Sequence, residues 1–272
     1  LNPIQMQTVQ MPVSVVRMPQ ARPFPDWAQM PRVPRGTVEE HTIDSEALAF
    51  AGRKIWVYAP PGYEGSGLAY PLLIMQDGQW GAGPLLVDEI ADTLIKHDRV
   101  QPLVIAMVQS GSQAERDREY ISNDAHFDFV MQELLPFMQT RYRIDSGHIG
   151  IGGVAVGAAA AIHAALRNPA VFSSLIMISP PLGKGAYADL IRQYIPRFAD
   201  AEVLPRRVFQ SVGRYEAAGR FHKPALLLRD ILETKPGVYY RFVETGSGHG
   251  LVGFRSILPE ALAWAFPGAA FS

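Results

Sequence analysis

From Thr37 onward the chain alternates short apolar runs with longer stretches whose apolar residues recur at helical spacing. Arg53 to Tyr58 reads as a strand closed by Pro60-Pro61-Gly62-Tyr63, and Pro71 to Met75 as a continuous apolar strand followed by the loop Gln76 to Trp80. Further strands are expected at Leu103 to Val108, His148 to Ile151, Ser174 to Ile178, Val208 to Val212 and Tyr239 to Val243. Helices are expected at Leu85 to His97, Phe127 to Tyr142, Ala158 to Leu166, Tyr187 to Phe198, His222 to Thr234 and Ser256 to Phe266. Strands that are apolar throughout, separated by helices, predict an α/β fold: a doubly wound, mostly parallel sheet with helices on both faces. Ligands of such sheets bind outside the carboxyl ends of the strands. Gln76 to Trp80, Gly153 to Gly157 and Gly246 to Gly250 fall there.

Residues 1–36 are rich in proline, methionine and glutamine without a sustained period, and read as an extended arm or a linker. Residues 37–272 read as one domain, with no internal repeat. A hydrophobic content of 48% with 19% charged residues is that of a soluble globular chain, and a net charge of −1 offers no broad attraction to nucleic acid or anionic membrane. No apolar run approaches the roughly 20 residues that span a bilayer. The absence of cysteine excludes disulfides, thiol nucleophiles and thiolate metal sites. No glycine-rich nucleotide loop and no cluster of metal ligands is visible, so no cofactor is expected. The chain starts at Leu1 rather than a methionine and shows no signal peptide; what lies upstream, the compartment (cytoplasm or periplasm) and the oligomeric state stay open.

Gly153-Val154-Ala155-Val156-Gly157 has the outline of a nucleophile elbow, G-x-S-x-G, with alanine in place of serine. A strand precedes it and an alanine-rich helix follows. A methyl group cannot attack a carbonyl. The pattern fits a serine hydrolase altered at one residue, a natural relative without need of the nucleophile, or an unrelated Gly/Ala turn. Two further residues bear on the choice. His249, flanked by Gly248 and Gly250 after the last strand, stands where a catalytic base is expected. Glu216, just past the strand Val208 to Val212, is the expected acid, with Asp230 as its competitor in mid-helix. His97, His126, His163 and His222 lie on or beside helices, and His41 and His148 precede or begin strands, where structural or solvated roles are expected. An oxyanion hole would use the backbone N–H of Val156 and one from the loop at Gly78, Gln79 or Trp80.

Arg53 to Tyr63 resembles R-x-v-w-V-Y-x-P-P-G-Y, Tyr70 to Trp80 resembles Y-P-L-L-x-x-x-D-G-x-W, and Arg116 to Tyr120 resembles R-x-x-E-Y. Gln132 to Pro136 resembles x-E-L-L-P, Gly213 to Glu216 resembles G-x-x-E, and Ser247-Gly248-His249 resembles G-G-H with serine for the first glycine. On these stretches the chain resembles the enterochelin esterase (Fes-like) branch of the Putative esterase family of α/β-hydrolases. The resemblance implies an α/β-hydrolase domain over 37–272 and hydrolysis of a carboxylic ester through an acyl-enzyme, the ester being a siderophore trilactone or another small acyl ester. It puts Ala155 at the nucleophile position, His249 at the base and Glu216 at the third place. A serine removed to trap a ligand is one origin for Ala155; a natural non-catalytic homologue that binds a ligand or partner is the alternative. Trp80, Arg116, Arg118 and Arg214 are the candidate substrate contacts. A ferric triscatecholate would also call on Lys184, Arg220 and Lys223, while Arg116 and Arg118 fit structural ion pairs equally well. Phe254-Arg255 departs from the family's Trp-Arg, and Ser179 to Gly183 replaces a segment that is aromatic in siderophore esterases.

Overall fold

The computed structural model describes residues 33–270, so all but the last four residues of the expected arm lie outside the described residues. The chain runs β1 (Thr37–Ser45), β2 (Phe50–Ala59), α1 (Tyr63–Ser66), β3 (Tyr70–Gln76), α2 (Gly78–Gly81), α3 (Val87–Lys96), β4 (Val104–Val108) and α4 (Gln113–Tyr120). There follow α5 (Asp124–Asp128), a π-helical turn (Phe129–Leu134), α6 (Leu135–Arg141), β5 (Ile144–Val154), α7 (Val156–Arg167) and β6 (Phe172–Ile178). The last part comprises α8 (Ala188–Ile191), α9 (Tyr194–Asp200), β7 (Arg207–Gly213), a second π-helical turn (Ala218–His222), α10 (Lys223–Leu232), β8 (Tyr239–Thr245) and α11 (Leu251–Ala265).

Among the described residues the strands form one eight-stranded sheet in the order β1-β2-β4-β3-β5-β6-β7-β8. β2 pairs antiparallel with β1 and β4, and every other neighbouring pair is parallel. One face packs on α7, α9 and α10, the other on α3 and α11. Helix α7 lies across the centre of the sheet, and its residues from Val156 to Ala165 are buried. Its alanines permit that depth, because a helix apolar on all sides has no face to give to water. No described helix is long and apolar enough to cross a membrane.

The doubly wound α/β sheet agrees with the sequence reading, and several elements differ in detail: the expected loop Gln76 to Trp80 holds the short helix α2, and the expected Ser256 to Phe266 helix starts five residues earlier, at Leu251. β1 is an edge strand whose first four residues are all exposed, so it carries little hydrophobic signal. Helix α4 is strongly polar and is defined by a capping box between Ser112 and Glu115. The expected Phe127 to Tyr142 helix starts earlier, at Asp124, and widens into the π-helical turn. The expected Tyr187 to Phe198 helix is two short helices, with Pro196 in the first turn of the second, where its missing N–H leaves no bond unmade.

Candidate active site

Parallel strands bring their carboxyl ends to one edge of the sheet. Asp77 follows β3, Ala155 follows β5, Ser179 follows β6, Glu216 lies beyond β7 and His249 beyond β8.

Ala155 joins β5 to α7 at φ 50° and ψ −122°, outside the regions that a residue with a Cβ ordinarily adopts. Such backbone costs about 1–3 kcal/mol and persists where its surroundings impose it. Here Ala155 N–H donates to the Ile178 carbonyl (2.9 Å), tying the turn to β6. A Cβ on Gly153 would lie 2.5 Å from the Gly157 carbonyl, so the two glycines let the chain double back tightly. The sharp turn is therefore present with a methyl group at its apex.

His249 pairs with Glu216 and not with Asp230. Its Nδ1 lies 2.8 Å from Glu216 Oε2, whereas Asp230 is an exposed partner of Arg229. Glu216 is 5% exposed, and Ser179 Oγ (2.6 Å) and Gly213 N–H (2.7 Å) both donate to its Oε1. Burial pushes this carboxyl up, but the hydrogen bonds from His249, Ser179 and Gly213 outweigh it and hold the group below the usual glutamate range. An ionised carboxylate only accepts, so Nδ1 of His249 carries the proton and Nε2 of the neutral ring is a base. The ring stacks on Phe221 (centroids 4.2 Å, 29° between planes) and meets the edge of Phe254 (5.0 Å). The His249 side chain keeps 35% of its surface open. The two loops are zipped together, Arg214 N–H donating to the Thr245 carbonyl (2.8 Å) and Tyr215 N–H to that of Ser247 (3.1 Å).

Val156 opens α7, and Gly78 and Gln79 open α2, so their N–H groups lack carbonyls of a preceding helical turn. The α2 turn is formed by Trp80 and Gly81 N–H on the Asp77 carbonyl (2.8 and 3.1 Å). Gly78 abuts β4 so closely that a Cβ would lie 2.2 Å from the Met107 carbonyl oxygen. The Gln79 amide donates to Ser110 Oγ (2.8 Å) and accepts from Ser110 N–H (3.2 Å).

Of the expected substrate contacts, Arg116 is a buried partner of Asp77: Nε and Nη2 reach its two carboxylate oxygens at 2.6 Å each. The guanidinium is committed there and also lies over the half-buried Trp80 ring (4.7 Å). Arg118 is exposed on α4, and Arg214 is exposed and paired with Glu244 (2.6 Å), which also binds His222 (2.7 Å). The Lys184 stem passes Gly219, the Arg220 guanidinium runs beside Gly185, and Lys223 opens α10. The remaining histidines pair elsewhere or are buried among aromatics: His41 with Tyr142, His97 with the Thr93 carbonyl, His148 with Asp145, His163 with Asp124, and His126 against Tyr120 and Phe129.

Sequence reasoning missed Ser179 and Phe221 as neighbours of the His249–Glu216 pair. Ser179 carried the right signal, since it is the first residue after a buried strand. Phe221 had none, because it reaches the ring from an irregular turn.

The fold recurs among solved structures. An enterobactin esterase from Shigella flexneri, crystallised in the presence of enterobactin, superposes with a TM-score of 0.80 at 21% identity, over 92% of this chain and 64% of that one. A ferulic acid esterase gives 0.69 at 19% identity, over 85% and 98% of the two chains. An IroE-like serine hydrolase from Shewanella oneidensis gives 0.68 at 16%, over 84% and 79%. The chain thus spans just under two thirds of the length of the enterobactin esterase. No curated protein sequence matches it. The profile of the family described as Putative esterase matches residues 49–202, more than half of the chain. This protein belongs to the Putative esterase family.

Proposed function

We propose that this chain carries the site of a carboxylic ester hydrolase of the serine type, with His249 as base and Glu216 as its acid partner, and that Ala155 leaves it able to bind an ester but not to cleave it. The observation that carries this reading is the elbow backbone. Alanine gains nothing from φ 50° and ψ −122°, yet the turn holds it there, at the same carboxyl end of the sheet as an assembled His249–Glu216 pair. A serine Oγ at this apex would attack the ester carbonyl as Nε2 of His249 takes its proton, the imidazolium being held by Glu216. The N–H groups of Val156 and of Gly78 or Gln79 would receive the oxyanion. His249 would return its proton to the departing alkoxide, and water would release the acid by the same steps. A methyl group has neither lone pair nor proton to start this sequence.

We read Ala155 as a replacement of serine in an otherwise complete site. The two departures that favour a natural non-catalytic homologue are accommodated within it: Ser179 donates to Glu216, and Phe254 packs on His249. The substrate we propose is a small acyl ester. The Shigella esterase structures with enterobactin and with 2,3-dihydroxy-N-benzoyl-serine make a catecholate trilactone one member of that class. Against a triscatecholate, Arg116 is spent on Asp77, leaving the exposed Arg214 and Lys184 and the half-buried Arg220 as candidate cations. Tyr215, 74% exposed next to Glu216, offers an aromatic face to an acyl group. The test is to introduce Ala155→Ser and assay acetyl, feruloyl and catecholate trilactone esters against the unaltered chain. Turnover by the serine form alone supports the reading, and its fastest ester names the substrate. A folded serine form inert on all three refutes it.

A further inference from the structure

Among the described residues the carboxylate of Glu216 has three donors, and only one of them, His249, belongs to the proposed reaction. Gly213 N–H is a backbone group of the same loop. Ser179 comes from a different strand, β6, and its placement is costly. It sits at φ 51°, where serine is strained, and it is 3% exposed. Its N–H donates to the Ser211 carbonyl (2.9 Å) on β7, which fixes it against the strand that leads to Glu216. From there its hydroxyl has a 2.6 Å bond to Oε1, while Oε2 faces Nδ1 of His249 at 2.8 Å. The two carboxylate oxygens thus have separate tasks: Oε1 is anchored to the sheet through Ser179 and Gly213, and Oε2 is presented to the imidazole. A hydroxyl is the group suited to this buried place, because it donates to a carboxylate and brings no charge of its own.

We propose that Ser179 is a positioning residue, whose hydroxyl fixes Glu216 in the ionised state and in the orientation that holds the imidazole of His249. This rests on the reading of His249 and Glu216 as the base and its partner.

The test uses the chain as it stands. Glutamate labelled with carbon-13 at the carboxyl reports each side chain's titration by NMR, and loss of one signal in Glu216→Gln identifies Glu216. Ser179→Ala removes the donor and keeps the backbone strain; Ser179→Gly removes both and serves if the alanine form folds poorly. His249→Ala removes the other side-chain donor. The expected result is proton binding at Glu216 at least about tenfold tighter in each Ser179 variant, since loss of a donor to the ionised carboxylate favours its protonated form, and a rise also in His249→Ala. If His249→Ala moves the titration and neither Ser179 variant does, the role of Ser179 is overturned while the His249–Glu216 reading stands. If His249→Ala moves nothing, the pairing fails, and the role of Ser179 with it.

Discussion

Gly157 lies against the carboxylate of Asp77: a Cβ on Gly157 would stand 2.6 Å from Asp77 Oδ2 and 3.1 Å from the Gln76 Cβ. The first turn of α7 and the loop after β3 therefore meet with no room for a side chain. This contact brings the N–H groups of Val156, Gly78 and Gln79 to one end of the sheet. Because the obstacle is a carboxylate locked by Arg116, it cannot swing aside. Gly157→Ala should destabilise the fold by about 1–3 kcal/mol, read as a lower urea midpoint with an unchanged slope. An unchanged midpoint would show that the loop yields.

Arg116 holds that loop. Asp77 is fully buried, and removing its only guanidinium partner among the described residues leaves a charge without compensation. Arg116→Met should cost about 3–5 kcal/mol. Adding Asp77→Asn should recover part of the loss, because the stranded charge is then gone. Equilibrium denaturation of both forms checks this; no recovery in the double variant would mean that the charge was not the source of the cost.

Backbone strain at Ala155 predicts a gain. Ala155→Gly relieves φ 50°, and relief of about 1–3 kcal/mol exceeds the up to about 1 kcal/mol that glycine loses through its freer unfolded chain. Stability should rise by about 1 kcal/mol in urea denaturation. A fall would show the turn to be unstrained with a methyl at its apex.

Burial pushes His126 down to about 3, with the charges of His163 and Arg53 acting in the same direction. In the unfolded chain it takes up its proton near 6.5. Below that pH the unfolded state binds a proton that the folded state refuses, so the contribution is whole above 6.5 and falls by about 1.4 kcal/mol per pH unit until about 3. His126→Phe, which suits a site beside Tyr120 and Phe129, should flatten the acid slope of stability between pH 6 and 4 by about that amount per unit. An identical slope in both proteins would show that His126 is free to charge when folded.

Much of the fold was legible because the central strands are apolar on both faces and half of α7 is alanine. The sharp turn at Ala155 and the meeting of His249 with Glu216 were legible because glycine spacing and chain order mark strand ends. Other features depended on tertiary structure. Sequence left Arg116 equally open as a ligand contact or an ion-pair partner, and the turn of Asp77 into the left-handed region brings the carboxylate to it. Ser179 and Phe221 come from separate strand–helix connections, and no local spacing announces that they converge on one carboxylate–imidazole pair. β1 and α4 escaped because an exposed edge and a polar helix bury too little to leave a periodic trace.

The most direct measurement of the central claim needs no knowledge of the natural ester. A fluorophosphonate reacts with a serine only where a base and an oxyanion site activate it. Intact-protein and peptide mass spectrometry should find one phosphonyl adduct on Ala155→Ser, on the peptide containing position 155. None should form on the unaltered chain, and labelling should be at least about a hundredfold slower when His249→Ala is added. A folded serine form that takes no adduct, or one labelled as fast without His249, would contradict the assignment of this elbow and this histidine to one active site.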